Sequence, residues 1–330
     1  MEKAPGSYVG GFCLMTDMMK NSLFLLLLTG GMHVMAHAQD TLPDAGRIRE
    51  IVGYLASDKL KGRGTAEKGG RKAAAYVAKQ FRKLGLKPVN GSSYFQDFTF
   101  DKNSHKNIPS RNVLGFLDNG AVRTIIIGAH YDHLGTAVLF DGKYPVGQIH
   151  NGADDNASGV AGLLELARHY VKNGGKESFN FLFIAFGGEE LGLQGSKYYT
   201  AHPLMPLDKM HFMLNMDMIG RYNPDRGLGV GGFGSAEEWP EIFKDVTQAG
   251  IRFFTDASGK GASDHHNFYM HQVPVMFFHT GGHDDYHKPT DDVPKLQADA
   301  EANILQLGIQ LIDRAMNFPV LHYKGEETKG

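Results

Sequence analysis

The stretch TIIIGAHYDH, residues 124–133, decides the fold class of this chain. Residues 124–127 are an uninterrupted apolar run rich in β-branched side chains, which is typical of a strand buried on both faces of a sheet. Three further runs of this kind lie at residues 179–186, 212–216 and 273–278. Between and after these runs, residues 157–170 and 302–316 have apolar positions at helical spacing. The sequence therefore predicts an α/β fold with a largely parallel sheet.

Two helices are predicted between the leader and the first strand. Residues 42–57 and 71–86 carry apolar side chains at intervals of three or four, which indicates two helices that face the core. No internal repeat, low-complexity linker or shift in composition divides the rest of the chain. We therefore expect one domain over residues 39–330, a length near the upper limit for a single core.

The N-terminus has the features of a secretory signal peptide. Residues 23–28 read LFLLLL, follow Lys20 and precede a small-x-small cleavage pattern at residues 36–38. The apolar run is too short to cross a bilayer as a stable helix. A later translation start, close to Lys20, would give a leader of more usual length. We expect residues 1–38 to be removed, which leaves a secreted or periplasmic protein without a stable membrane span.

The composition excludes several classes of protein. Lys plus Arg number 34 against 36 Asp plus Glu, so there is no basic surplus to bind nucleic acid. The single cysteine, Cys13, lies in the predicted leader, which excludes a disulfide framework and a cysteine-based zinc site in the mature chain. The chain has 16 histidines, so any bound metal must be held by histidine and carboxylate side chains.

Histidines and carboxylates follow each of the four predicted strands. They are His130, Asp132 and His133 after the first strand, Glu189 and Glu190 after the second, Asp217 after the third, and His279, His283, Asp284, Asp285 and His287 after the fourth. A fifth cluster, Asp154 and Asp155, precedes the helix that begins near Ala157. The carboxyl ends of parallel strands meet at one edge of a sheet, so these groups should converge.

Converging carboxylates repel one another unless cations neutralise them, which predicts a metal centre. Donors without cysteine suit zinc or a similar ion, and the number of carboxylates indicates two ions that share one of them. Adjacent side chains leave a strand in different directions, so one glutamate of the Glu189–Glu190 pair can bind an ion while the other acts as a general base. Asp132 is placed to orient the His130 imidazole. The residues alone leave three choices open: Asp154 or Asp155, Glu189 or Glu190, and His283 or His287.

Six strings resemble, in order and spacing, the co-catalytic zinc aminopeptidases of the secreted bacterial leucyl aminopeptidase and aminopeptidase S type. They are GAHYDHLG, NGADDNASGVAGLLELA, IAFGGEELGLQGSKYY, LNMDMIGR, SDHHNF and DDYHKPTDD. Glutamate carboxypeptidase and glutaminyl cyclase belong to the same superfamily. The resemblance runs from about residue 42 to about residue 314. It implies a single three-layer domain in which helices flank a central mixed, mostly parallel sheet.

The resemblance also implies two zinc ions per chain and a role for each ligand. Asp155 is the carboxylate that bridges both ions, Glu190 and His287 complete one site, and His130 and Asp217 complete the other. Glu189 matches the general base, and Asp132 matches the partner of His130. The implied activity is hydrolysis of N-terminal amino acids from peptide substrates by metal-activated water. The alternatives are a glutaminyl cyclase-like aminoacyl transferase, or a dipeptidase or carboxypeptidase of the same superfamily.

Two features bear on these alternatives. Cyclases of the superfamily line their pocket with tryptophans, whereas this chain has only Trp239, which is remote from the motifs. Some family members carry a tyrosine between two cysteines before the SDH string, where it stabilises the oxyanion. Here Lys260 lies near that position. Two interpretations are open: Lys260 replaces the tyrosine electrostatically, or it is a loop lysine exposed to solvent. We expect His133 to bond a loop carbonyl, and His265 and His266 to shape the pocket.

Overall fold

In a computed structural model of the chain, which describes residues 1, 2, 6 and 41–325, eight strands form one sheet. The strands are β1 (Phe95–Lys102), β2 (His105–Leu117), β3 (Thr124–His130), β4 (Asn180–Phe186), β5 (Met210–Met216), β6 (Leu228–Gly231), β7 (Phe253–Thr255) and β8 (Val275–His279). Their spatial order is β1-β2-β4-β3-β5-β8-β6-β7. The predicted signal peptide lies outside the described residues, apart from residues 1, 2 and 6.

The four central strands, β4, β3, β5 and β8, are mutually parallel. The outer strands make the sheet mixed, because β2 is antiparallel to both β1 and β4, and β6 is antiparallel to β8. The chain passes from β3 to β4 on one side and then returns to β5 on the other side of β3. In open α/β sheets this reversal opens a crevice at the carboxyl ends of the strands.

Seven helices cover the two faces of the sheet within the described residues. They are α1 (Ala45–Leu55), α2 (Lys68–Leu84), α3 (Gly159–Lys172), α4 (Gln194–Ala201), α5 (Trp239–Phe243), α6 (His265–Met270) and α7 (Ala298–Ala315). Side chains of α1, α2, α3 and α7 form one core cluster with Ile125 and Ile127 of β3. Side chains of α4 and α6 form a second cluster with Ile126. Both faces of β3 are therefore buried, which explains its uninterrupted apolar run.

The predicted fold, one α/β domain with a mixed and mostly parallel sheet between helical layers, is confirmed. The four predicted strands are β3, β4, β5 and β8, and the predicted helices correspond to α1, α2, α3 and α7, with ends shifted by a few residues. Two further strands, β1 and β2, were not predicted, and they precede β3 as an antiparallel hairpin. Buried and exposed side chains alternate along β1, so it lacks the apolar run that marks a central strand.

Local signals set the ends of the first two helices. The Asp44 side chain caps α1 by accepting a hydrogen bond of 2.9 Å from the backbone N–H of Arg47. Gly85 ends α2 in the left-handed conformation, with φ of 80°. Among residues 41–325, no helix combines the length and the apolar character that a membrane crossing requires.

Candidate metal centre

The side chains predicted to bind metal converge at the carboxyl ends of the central strands. His130 is the last residue of β3, and Asp217 directly follows β5. Glu189 and Glu190 lie just beyond the end of β4, and His287 lies in the loop that follows β8. Asp155 reaches the same place from the segment before α3. The convergence expected at this edge of the sheet is therefore present.

A first group of ligand atoms surrounds His130. Its Nε2 lies 3.2 Å from Asp217 Oδ1 and 3.4 Å from Asp155 Oδ1. Glu189 Oε2 is slightly further away, at 3.9 Å. The other ring nitrogen, Nδ1, donates a hydrogen bond of 3.1 Å to the backbone carbonyl of Asp132. The imidazole is thus oriented with Nε2 toward the three carboxylates, as metal-binding histidines usually are.

A second group of ligand atoms surrounds Glu190. His287 Nε2 lies 3.2 Å from Glu190 Oε2 and 3.1 Å from Asp155 Oδ2. His133 Nδ1 lies 2.6 Å from Glu190 Oε1 and 3.7 Å from Asp155 Oδ2. Asp155 therefore directs Oδ1 to the first group and Oδ2 to the second, which is the geometry of a bridging carboxylate.

The segment that carries Asp155 is held by its backbone. The N–H groups of Asp154 and Asp155 donate hydrogen bonds of 3.0 and 3.1 Å to Asp291 Oδ2. The Asp154 side chain turns away from the two groups and accepts hydrogen bonds from the backbone of Gly220, at 2.7 Å, and from His283, at 3.1 Å. The structure thus brings Asp155 into the candidate centre, whereas Asp154 and His283 form a hydrogen bond with each other outside it.

Arg63 holds the loops that carry the candidate ligands by hydrogen bonds to their backbone. Its guanidinium is fully buried and donates to the backbone carbonyls of Leu55 at 2.9 Å, Tyr131 at 2.9 Å, Asn151 at 2.6 Å and Gly152 at 2.8 Å. Burial lowers the pKa of Arg63 to about 10, although nearby carboxylates oppose the shift. The side chain therefore stays charged at neutral pH and joins α1 to the loops that bear the candidate ligands.

Asp132 acts differently from the expectation. Its carboxylate lies 3.9 Å from His130 Nδ1, and the backbone carbonyl makes the closer contact. The carboxylate instead accepts hydrogen bonds from Thr65 Oγ1, at 2.7 Å, and from the backbone N–H of Glu189, at 3.1 Å. Asp132 thus orients the imidazole through its main chain and positions Glu189 through its side chain.

Two aromatic residues flank His287. The hydroxyl of Tyr144 lies 2.6 Å from His287 Nδ1, the nitrogen that faces away from the carboxylates. The ring of Tyr286 stacks on the imidazole, with centroids 3.8 Å apart and an angle of 25° between the planes. His150 Nδ1 donates a hydrogen bond of 3.1 Å to the backbone carbonyl of His287. Sequence reasoning missed Tyr144 and His150, because only the tertiary fold brings residues 144–150 next to residue 287.

The carboxylates impose a demand for positive charge on this buried region. Burial by itself lowers the pKa of His287, but the hydrogen bonds and charges of Asp155 and Glu190 outweigh it and raise that pKa to about 11. Burial raises the pKa of the Glu189 carboxyl well above its usual range, and the neighbouring anion of Glu190 adds to the shift. These carboxylates thus need cations to neutralise them. The same need is the reason that the sequence predicts a metal centre.

The remaining residues of interest around the centre differ in their surroundings. The expected contact of His133 with a loop carbonyl is wrong, because its Nδ1 bonds Glu190. His265 is buried and stacks on Phe277, with ring centroids 4.1 Å apart, whereas Lys260 is exposed in the loop after β7. Asp264, which was not singled out, is fully buried beside the centre, and burial raises its pKa to about 7. The SDH string was its only sequence signal.

Part of this chain matches known proteins in sequence. The sequence profile described as Peptidase family M28 matches residues 112–312. Leupeptin-inactivating enzyme 1 of Streptomyces exfoliatus is 34% identical over 149 residues, which cover 44% of this chain and 32% of that protein. The chain is therefore matched to about a third of the length of this relative.

Solved structures show the same fold. The LapA aminopeptidase of Legionella pneumophila has a TM-score of 0.62 at 18% identity, with coverage of 86% of this chain and 74% of that chain. The glutaminyl cyclase of Porphyromonas gingivalis has a TM-score of 0.67 at 18% identity, with coverage of 82% and 98%. The two names differ in activity, so the fold alone does not choose between these chemistries.

Proposed function

Since the chain belongs to peptidase family M28, as the resemblance predicted, we propose that it is a zinc-dependent exopeptidase that removes N-terminal amino acids from peptides. The observation that carries the proposal is the position of Asp155. Its two oxygens face two different histidines, His130 at 3.4 Å and His287 at 3.1 Å, and each histidine has a further carboxylate beside it. Two ions that share one carboxylate are a recurring arrangement for hydrolysis.

The donor atoms fit zinc. In the first group, His130 Nε2 lies 3.2 Å from Asp217 Oδ1 and 3.4 Å from Asp155 Oδ1. In the second group, His287 Nε2 lies 3.2 Å from Glu190 Oε2 and 3.1 Å from Asp155 Oδ2. Zinc bonds of about 2.0–2.3 Å place neighbouring ligand atoms roughly 3–4 Å apart, so neither group requires a large rearrangement. When bound, zinc supplies Lewis-acid chemistry that polarises a peptide carbonyl and makes water more acidic.

We infer that His130 and Asp217 hold one ion, that Glu190 and His287 hold the other, and that Asp155 contacts both. This division follows the short distances around each histidine and leaves Glu189 at the edge of the first group.

Glu189 is the residue we propose as the general base. Asp132 holds its backbone N–H at 3.1 Å, and its carboxylate is the most distant of the three that face His130. A carboxyl whose pKa is raised by burial is a stronger base than an exposed one. Glu189 then accepts the proton of the attacking water and delivers it to the amine that leaves.

Tyr286 offers a hydrogen-bond donor for the oxyanion. Its ring is fixed by stacking on His287, and the residue is 47% exposed, so it lies beside the proposed ligands and in reach of a substrate that enters from solvent. Burial of part of the ring and the negative charges of Asp155 and Glu190 raise the pKa of the phenol, which therefore keeps its proton at neutral pH. Tyr286 is thus an alternative to Lys260 in this role.

The glutaminyl cyclase alternative has less support. The single tryptophan, Trp239, is 1% exposed and lies edge-on to Phe212 in the core, with ring centroids 5.3 Å apart. It is therefore not available to line a substrate pocket. The second ligand group, with Glu190 and His287, also exceeds what a single-zinc reaction requires.

The test combines metal content with one substitution. Zinc analysis of the purified protein should give about two ions per chain, and Glu189→Gln should keep the zinc but lose most of its turnover on amino-acid anilides. The matched control is Glu50→Gln, an exposed glutamate on α1, which should leave turnover unchanged. Zinc-free wild-type protein with full activity, or full activity of Glu189→Gln, would contradict the proposal.

A substrate panel then separates the activities of the superfamily. Peptides with a free N-terminus should be cleaved, and the same peptides with a blocked N-terminus should not. Cleavage from the C-terminus would indicate a carboxypeptidase, and cleavage of dipeptides alone would indicate a dipeptidase. Ammonia release from Gln-initiated peptides without anilide hydrolysis would indicate a cyclase. We also propose that the enzyme acts after export, which N-terminal sequencing of the mature chain tests.

A further inference from the structure

His133 occupies a position in the centre that the ligand assignment does not use. Its side chain is 0% exposed, and its Nδ1 lies 2.6 Å from Glu190 Oε1. The opposite oxygen of the same carboxylate, Oε2, faces His287 at 3.2 Å. The two histidines therefore contact opposite oxygens of Glu190, and only one of them is needed there as a ligand.

The His133 ring is locked by the surrounding backbone. Gly152 packs directly against it, since a Cβ at that position would lie 2.5 Å from the His133 ring. Gly152 also has φ of 58°, a conformation that side chains disfavour. On the other side, the ring meets the His287 imidazole edge to face, with centroids 5.7 Å apart. His133 therefore cannot turn away from Glu190 without moving the loop that Arg63 holds.

The chemistry of the two groups fixes the direction of the hydrogen bond. An ionised carboxylate only accepts, so Nδ1 carries the proton and donates it to Glu190 Oε1. The other nitrogen, Nε2, is buried and has no hydrogen-bond partner among the described residues. A bare lone pair is tolerated there, whereas an N–H group would be left without an acceptor. Direct binding of metal by Nδ1 would move the proton to Nε2 and create that unsatisfied group.

We propose that His133 is a positioning residue of the metal centre, whose Nδ1–H engages Glu190 Oε1 and leaves Oε2 alone to bind the ion shared with His287 and Asp155. The inference rests on the proposed two-zinc function. It assigns His133 an effect on one of the two ions, because its shortest contact with a proposed ligand is the one with Glu190, and the Asp155 oxygen nearest to it, Oδ2 at 3.7 Å, faces the same side. Partners that orient metal ligands typically contribute about 10–100-fold in metal affinity.

The experiment compares two substitutions in the full chain. His133→Leu removes the donor, and His133→Asn keeps an amide N–H near the position of Nδ1. Metal-free protein is titrated with zinc against a chromophoric chelator, which gives a dissociation constant for each ion. We expect His133→Leu to lower the affinity for one ion by about 10–100-fold and to leave the affinity for the other unchanged. His133→Asn should restore most of the lost affinity.

The control is His211→Leu. His211 is also buried, and it bonds the backbone carbonyl of Ala315 at 3.1 Å near the start of β5, at the opposite end of the sheet. This variant should bind both ions as the wild type does. If His133→Leu fails to fold, as judged by circular dichroism, the smaller His133→Ala takes its place.

Three results would overturn this inference. Wild-type affinity for both ions in His133→Leu would show that the hydrogen bond has no role. Equal loss in His133→Asn and His133→Leu, with one imidazole fewer in the zinc X-ray absorption spectrum, would make His133 a direct ligand. A wild-type protein that binds fewer than two zinc ions would instead refute the proposed function, and the inference with it.

Discussion

At the residue scale, the centre depends on buried side chains that are not among its proposed ligands. Arg63 donates hydrogen bonds to the backbone carbonyls of Leu55, Tyr131, Asn151 and Gly152. Asp291 accepts hydrogen bonds from the backbone N–H groups of Asp154 and Asp155. Apart from the bond to Leu55, which meets a carbonyl at the C-terminal end of α1, these bonds hold irregular backbone that cannot satisfy itself within a helix or a strand. The orientation of the Asp155 side chain therefore depends on Arg63 and Asp291, which hold the backbone around it.

Replacement of Arg63 by lysine should be strongly destabilising. Lysine keeps the charge but lacks the planar fork, so at least two of the four buried carbonyls lose their donor. We expect a loss of about 3 kcal/mol in the free energy of unfolding, measured by urea titration. Arg49→Lys is the matched control, because Arg49 makes an exposed ion pair with Asp299 and its replacement should cost no more than about 0.5 kcal/mol. Equal effects of the two substitutions would contradict this role.

At the element scale, α7 carries an ionisable side chain into the core. Glu301 is fully buried in its first turn, and neither carboxylate oxygen has a hydrogen-bond partner among the described residues. Burial raises the pKa of this carboxyl well above its ordinary value of 4.5, and the negative charges of Asp154 and Glu165 raise it further. This environment favours the neutral form of Glu301, whose carboxyl is close enough to the segment that bears Asp155 to be affected by the charge of Asp154.

This environment predicts a pH-dependent effect of Glu301→Gln. Because the folded-state pKa lies above the unfolded one, the contribution of Glu301 is fully present below pH 4.5 and is lost as the pH rises through the raised value. Glutamine has no proton to lose, so the variant should gain stability relative to the wild type between pH 5 and pH 8, as followed by urea unfolding. Glu50→Gln, on the exposed side of α1, serves as the control. A difference between variant and wild type that is the same at both pH values would refute this explanation.

At the scale of the whole molecule, the sheet edge gathers more negative charge than a protein interior tolerates by itself. Glu189 and Asp155 are buried there, and the side chains of Glu190 and Asp217 are only 5% and 14% exposed. In this arrangement, zinc binding and folding stability are linked, since ions that bind only the folded state stabilise it.

Removal of metal should therefore lower the melting temperature. An ion present at 100 times its dissociation constant contributes about 2.7 kcal/mol, which corresponds to roughly 5 °C or more for a chain of this size. Calorimetry with and without a chelator measures the shift, and added zinc should reverse it. In Asp155→Asn, which lacks the shared carboxylate, the chelator should have a much smaller effect. An unchanged melting temperature of zinc-loaded wild type after chelation would argue against the linkage.

The sequence alone predicted the central strands, the helices on one face of the sheet and the set of candidate ligands. It did so because strands buried on both faces need uninterrupted apolar runs, and because the carboxyl ends of parallel strands meet at one edge. Family resemblance then chose Asp155, Glu190 and His287 from their neighbours. Secretion and the two-zinc assignment stay predictions.

Only the tertiary structure decided the β1–β2 hairpin and the partners of the candidate ligands. An edge hairpin has one polar face, so its sequence carries a weaker signal than a central strand. The bonds of His133 to Glu190, of Tyr144 to His287 and of Arg63 to Gly152 each join residues at least 57 positions apart. No spacing along the chain encodes such contacts, because loop packing, rather than periodicity, brings these side chains together.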